Sequence, residues 1–193
     1  MQRGDLSKIP LASGATSALV ANSVQAQTCT APCYTRAAAE TTAGVTPTNL
    51  SYPPGDIRRY GADSSGSADS PVALQNALNV AQAVYFPAGL YSISAALTNG
   101  ISNRRIYGDG PSASTLRPHG AINAIVNTAG LSCVQMDNFA IIANDTTTLD
   151  AMTQASNTAL FASRFENLSI YTGGEHFTGV VESSTSQFVI SIW

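Results

Sequence analysis

A six-residue phrase recurs along this chain: Ile101-Ser-Asn103-Arg-Arg-Ile106, Met136-Asp-Asn138-Phe-Ala-Ile141, Phe165-Glu-Asn167-Leu-Ser-Ile170 and, more loosely, Thr185-Ser-Gln187-Phe-Val-Ile190. Each copy places an apolar residue (Thr185 in the last) two positions before an amide side chain and another apolar residue three positions after it. The amides are 35, 29 and 20 residues apart. Recurrence at such spacings marks a stacked-repeat architecture, in which one short unit buries its apolar face only against its neighbours. The copies are rich in β-branched residues, so the unit reads as a strand and turn, with loops of unequal length inserted on one side. If Asn103, Asn138, Asn167 and Gln187 share one position in successive rungs, their amides stack along the axis like the Asn and Gln ladders of cross-β structures. Ile106, Ile141, Ile170 and Ile190 then form an inward aliphatic column. A β-sandwich has no reason to repeat a register-matched amide. The expected fold class is all-β, a parallel solenoid.

Composition narrows the partners. The chain of 193 residues is 44% hydrophobic and only 11% charged, so it can bury a core while covering its surface with Ser, Thr, Asn and Gly. A net charge of −3 supplies no basic stripe for phosphates, and nucleic acid is excluded as a partner. No run reaches the roughly 18 apolar residues of a membrane span.

Residues 1–28 read as an export signal. Arg3 and Lys8 give a positive start, Ile9 to Ala21 are mildly apolar, and Val24-Gln25-Ala26 has the small-x-small pattern of a cleavage site. The start is similar to a twin-arginine signal in which Gly4 replaces the second arginine and Ser7 an apolar residue. The expected location is secreted or periplasmic. Cys29 and Cys33 could close a small loop in an oxidising compartment. Cys133, in the apolar run Leu131 to Met136, reads as a small buried hydrophobe. Zinc lacks its four ligands here. His119 and His176 adjoin Gly-containing turns and read as exposed loop residues. Residues 29–55, rich in Thr, Ala and Pro, read as a linker ending in Tyr52-Pro53-Pro54-Gly55. The folded unit is expected over 56–193.

Asp56 to Asp63 reads as a short strand ending at Gly61, and Ser64 to Asp69 as a polar, turn-rich loop. A helix over 71–82 follows, with Asp69 or Ser70 as cap, Pro71 in the first turn, and Ala73, Leu74, Ala77, Leu78 and Ala81 on one apolar face. Val84 to Ile93 reads as two strand pieces around Pro87-Ala88-Gly89. This order, from Tyr60-Gly-Ala-Asp63 to Val84-Tyr-Phe-Pro-Ala-Gly-Leu-Tyr91, resembles the N-terminal region of the pectate lyase superfamily. The likeness is to its rhamnogalacturonase and epimerase-like branch, whose modules also occur in bacteriophage tailspikes. Ile106-Tyr-Gly108-Asp-Gly110 with Ser114-Thr-Leu116 is similar to that family's first full rung. The resemblance implies a right-handed, single-stranded parallel β-helix with the helix as its N-terminal cover, since solenoid ends must hide apolar surface and strand edges. The apolar, uncapped Phe188 to Trp193 implies a chain truncated before its later rungs.

The resemblance also implies a polysaccharide partner and two chemistries. Hydrolysis needs paired carboxylates, one kept protonated. The Asn-Thr-Asp, Asp-Asp, His-Gly and Arg-Ile-Lys motifs of polygalacturonase-like hydrolases are missing, and Asn144-Asp145-Thr146 and Asp150 read as turn residues of an inserted loop. Elimination from uronic acids needs a base, often with calcium, and the nearest cluster is Glu175-His176 with Glu166 and Asp137 on neighbouring rungs. Asp63 and Asp69 are similar to the family's loop aspartates, Asp69 as a helix cap. Catalytic residues stay unassigned, no cofactor is evident, and calcium enters only through the resemblance. The expected function is an exported lyase or glycosidase acting on acidic polysaccharide, its catalytic rungs beyond Trp193. The alternative is a non-catalytic glycan-binding β-helix, such as an adhesin or a trimeric tailspike module.

Overall fold

A computed structural model describes residues 33–128, 130–143, 150–154, 162–171 and 178–181. It begins with a short helix α1 (Ala38–Thr42), a 3-10 turn (Ile57–Tyr60), strand β1 (Ser65–Asp69) and helix α2 (Pro71–Val80). The strands that follow are β2 (Ala83–Phe86), β3 (Gly89–Ile93), β4 (Leu97–Asn99), β5 (Arg105–Gly108), β6 (Ser114–Pro118) and β7 (Asn123–Asn127). Then come β8 (Gln135–Ile142), β9 (Asp150–Gln154), β10 (Arg164–Tyr171) and β11 (Thr178–Val181). Among the described residues every strand pairing is parallel. Rungs start at β2, β5, β8 and β10, so the chain is the β-solenoid its repeats imply. β8 is long enough to stack on both β5 and β6 of the rung before it.

Three apolar columns fill the interior. Val84, Ile106, Met136 and Phe165 share one register position; Tyr91, Leu116, Ile141 and Ile170 share another. Leu97, Ile125 and Met152 form the third, on the sheet β11-β9-β7-β4. Nearly all of these side chains are buried, each worth about 1.5–3 kcal/mol. Ile141 and Ile170 stack as expected, but Ile106 sits on Met136 rather than Ile141.

The recurring phrase therefore mixes two registers. Asn138 and Asn167 do stack, Asn167 Nδ2 donating to Asn138 Oδ1 at 2.7 Å. Asn103 does not join them: it precedes Arg105 by two residues, as Cys133 precedes Gln135 and Ala162 precedes Arg164, and those strands pair at Arg105, Gln135 and Arg164. Asn103, Cys133 and Ala162 have φ of 59°, 55° and 50°, and Asn138 and Asn167 have 61° and 46°. The β8 and β10 rungs thus each have two left-handed positions and the β5 rung has the first of them, and Asn tolerates that conformation better than most residues. In the β5 rung it is Gly108 that meets Asn138, where a Cβ would lie 2.5 Å from the Asn138 carbonyl oxygen. Gln187 lies outside the described residues. A second ladder, absent from the sequence reading, is buried: Asn99 Nδ2 donates to Asn127 Oδ1 at 2.9 Å.

The cover differs in detail from expectation. α2 buries Ala73, Leu74, Ala77 and Leu78 and packs on the 3-10 turn and β4. Gln75 closes the open edge of β4, accepting from Thr98 N at 2.8 Å and donating to Thr98 O at 3.1 Å. Ser70 occupies the N-cap position, its carbonyl accepting Leu74 N at 3.1 Å, but neither expected side chain caps the helix. The Ser70 hydroxyl accepts Asp63 N at 3.0 Å, and Asp69 accepts Ser94 N at 2.9 Å together with the Ser94 hydroxyl. Where Asp56 to Asp63 is expected as a strand, Ile57–Tyr60 forms a 3-10 turn, because Asp56 accepts Arg58 N at 2.9 Å and Gly61, at φ 89°, closes the turn. Ser64 to Asp69 is mostly strand β1, since Asp63 takes Ser65 N, Ala68 N and the Ser65 hydroxyl and presents the segment to β3. β2, β3 and β4 already complete a rung before Ile106.

Within the stretch expected as linker, α1 carries Glu40 into a fully buried pair with Arg59. Arg59 Nε and Nη2 donate to Glu40 at 2.5 and 2.9 Å, and Tyr60 Oη donates at 3.0 Å. Burial pushes the Glu40 carboxyl up, but these donors and Ala37 N outweigh it and hold it below its ordinary value. Cys33 is disulfide-bonded, while Cys29 lies outside the described residues. Cys133 is exposed, not buried, because its left-handed corner turns it outward between buried Leu131 and Val134. Among the described residues no helix is long and apolar enough to cross a membrane.

Candidate functional site

Strand alternation sets the site. With Ile106, Met136 and Phe165 pointing inward, Arg105, Gln135 and Arg164 form one outward column, and Tyr107, Asp137 and Glu166 the next. Rungs lie about 4.8 Å apart, so these side chains meet along the axis. Arg105, Gln135, Asp137, Asn138, Arg164 and Glu166 line an open groove of about 310 Å³.

Most of the groove is tied together by charge-assisted hydrogen bonds. Arg105 donates through Nε and Nη2 to the two Asp137 oxygens at 2.8 and 2.7 Å. Asn138 Nδ2 donates to the same carboxylate at 2.7 Å, and Asn167 donates in turn to Asn138. The hydrogen bonds to Asp137 hold the Arg105 guanidinium above its ordinary pKa. Arg164 pairs with Glu166 along the same strand. Toward the cover, Arg105 lies 4.5 Å over the Tyr107 ring, which stacks on Tyr85 at 5.1 Å. Tyr85 Oη donates to Asp109 at 2.6 Å, and this bond, with burial, pushes its pKa up to about 12.

The structure brings together two of the candidates read from sequence: Asp137 and Glu166 are register partners on adjacent rungs. Glu175, His176, Asn144, Asp145 and Thr146 lie outside the described residues. Asp150 is not a loop residue; it opens β9, paired with Asn123 and Thr178. Asp63 is a turn organiser, its carboxyl held down at about 2 by the amides of Ala68 and Ser65 and the Ser65 hydroxyl. The His119 side chain is 44% exposed, its Nε2 3.8 Å from Asp69 Oδ1, and it does not line the groove. Arg105, Gln135 and Arg164 escaped the sequence reading. Aligning the rungs by strand, as Arg105-x-Tyr107, Gln135-x-Asp137 and Arg164-x-Glu166, reveals them.

The profile of the family described as rhamnogalacturonase A/epimerase, pectate lyase-like, matches residues 56–188. The chain belongs to that family. The similar solved structures include the ORF18 protein of Geobacillus virus E2, with 22% identity and a TM-score of 0.47, covering 59% of this chain and 25% of that one. The catalytic unit of a thermostable GH87 α-1,3-glucanase from Streptomyces thermodiastaticus strain HF3-3 is similar at 18% identity and a TM-score of 0.39, covering 67% of this chain and 26% of that one. The chain thus spans about a quarter of the length of each. No curated protein matches the sequence. The pectate lyase-like family brings calcium into question, and the groove does not fit it. Calcium wants six to eight oxygens, whereas Asp137 has both oxygens engaged by Arg105 and Asn138, and Glu166 is held by Arg164.

Proposed function

We propose that this pectate lyase-like chain belongs to an exported, polysaccharide-active β-helix and that the groove over β5, β8 and β10 holds the glycan. The observation that carries this reading is the array of six hydrogen-bonding side chains on the outer face of three successive rungs, aligned along the axis as a polymer needs. Export is supported by the composition of residues 1–28 and by the disulfide at Cys33, a bond of oxidising compartments. The groove is suited to binding rather than cleavage. A general acid must carry a proton toward the substrate, and Asp137 accepts three hydrogen bonds while Glu166 faces a guanidinium. Lyase or glycosidase chemistry therefore draws on residues outside this groove.

The test is retention of the protein by immobilised polysaccharides, followed by assay of retained ligands for reducing ends or ultraviolet-absorbing unsaturated products. Binding to at least one polysaccharide is expected, weakened about tenfold or more, or roughly 1.4 kcal/mol, in the double variant Gln135→Ala, Arg164→Ala. No retention across a broad panel overturns the reading. The engaged carboxylates favour one second reading, a purely glycan-binding adhesin or trimeric tailspike module. Binding without product release, by a protein of trimeric mass, selects it.

A further inference from the structure

The charges along this face cancel. Arg105 is matched by Asp137, Arg164 by Glu166 and, nearer the cover, Arg58 by Asp56 at 3.0 and 2.7 Å. Asp56 lies on the same strip, bridged to Tyr85. Asp109 adds a carboxylate that accepts from Tyr85 Oη and Ala88 N and meets no arginine. Among the described residues of the face, every guanidinium carries a carboxylate and one carboxylate is left over.

We infer that the groove is built for a neutral, hydroxyl-rich glycan and not for a polyuronate; this rests on the glycan-binding reading above. A chain of carboxylates would have to displace Asp137 or Glu166 from arginines that already hold them, and would meet Asp109 without compensation. The groups with spare hydrogen-bonding capacity point the same way. The Gln135 amide and the remaining arms of Arg164 can donate. Glu166 Oε2, Asn167 Oδ1 and the Gln135 carbonyl can accept. A hydroxyl donates and accepts and can use both sets, whereas a carboxylate only accepts and finds half of them repulsive. Ring stacking is not the main contact. Tyr85 of the preceding rung covers one side of Tyr107, and Arg105, reaching toward Asp137 of the following rung, covers the other.

The experiment measures binding of the full chain to dextran, mannan and starch as neutral probes and to polygalacturonate and alginate as acidic ones, at low and high salt, for the native protein and Glu166→Gln. Arg164 and Glu166 are 63% and 50% exposed, so the substitution leaves the fold intact. The native protein is expected to bind a neutral probe with less than about twofold change on adding salt, and the acidic probes at least about tenfold more weakly. Glu166→Gln releases Arg164 and is expected to raise acidic-probe affinity about threefold or more at low salt, an increase that salt removes. Tighter, salt-sensitive binding of either acidic probe by the native protein overturns the inference and leaves the glycan-binding reading standing. So does a Glu166→Gln variant with unchanged acidic-probe affinity. Failure to bind any probe, neutral or acidic, overturns the glycan-binding reading itself.

Discussion

Two arginine–carboxylate pairs in this molecule have the same bidentate form and opposite surroundings. Arg59 and Glu40 are both 0% exposed, clamped between α1 and the 3-10 turn, whereas Arg105 and Asp137 are 48% and 13% exposed on the outer face of the rungs. The two amide ladders repeat the contrast, Asn99–Asn127 being buried and Asn138–Asn167 facing the groove. Burial decides what such a pair does. Inside, losing one partner strands the other in a medium that cannot solvate it, so the pair fixes structure. Outside, water replaces a lost partner cheaply, so the pair is free to shape a ligand surface.

The contrast can be broken most forcefully at the inner pair. Glu40→Ala leaves Arg59 buried without its carboxylate and is expected to cost about 3–5 kcal/mol, read as a drop in the urea midpoint. Next, Asn127→Ala strands the Asn99 amide and is expected to cost about 1–3 kcal/mol in the same titration. Arg104 sharpens the point from the other side. It is 1% exposed, its Nε has no hydrogen-bond partner, and burial lowers its pKa to about 10. Arg104→Met is therefore expected to stabilise the protein, by at least about 1 kcal/mol; a loss of stability would show that the guanidinium does structural work. At the outer pair, Asp137→Asn is expected to change stability by less than about 1 kcal/mol while altering glycan affinity. The smallest effect is at Asp63, whose carboxyl is held at about 2 in the fold against an unfolded value near 4. A depressed carboxylate stabilises the fold above its unfolded pKa and loses that contribution as pH falls through its folded one. The stability gap between the native protein and Asp63→Asn should narrow between about pH 4 and pH 2.

The solenoid was legible because its interior is repetitive: Met136 with Phe165 and Ile141 with Ile170 recur at the spacing of one rung. The register of the first phrase was not. Asn103 and Asn138 occupy different left-handed positions of a rung, and Asn suits both, so the residue type alone cannot distinguish them. β1 and the 3-10 turn depend on the Asp63 and Asp56 carboxylates finding backbone amides, which no apolar period encodes. Glu40 and Arg59 lie 19 residues apart, and a single buried ion pair leaves no pattern. In the groove, Asp137 and Glu166 were legible because they precede the repeated amides. Arg105, Gln135 and Arg164 face solvent, where packing imposes no periodicity, and only the strand pairing aligns them.

The central claim is that the outer polar array meets a glycan while the inner one holds the fold. Side-chain amide resonances report on both arrays in one titration. Adding hexameric fragments of the neutral and acidic polysaccharides used above to isotopically labelled protein should shift the NH2 signals of Gln135, Asn138 and Asn167, with the neutral fragments acting first, and leave those of Asn99 and Asn127 in place. Glycan binding that leaves the three outer amides unmoved, or that shifts the buried pair instead, would contradict the account.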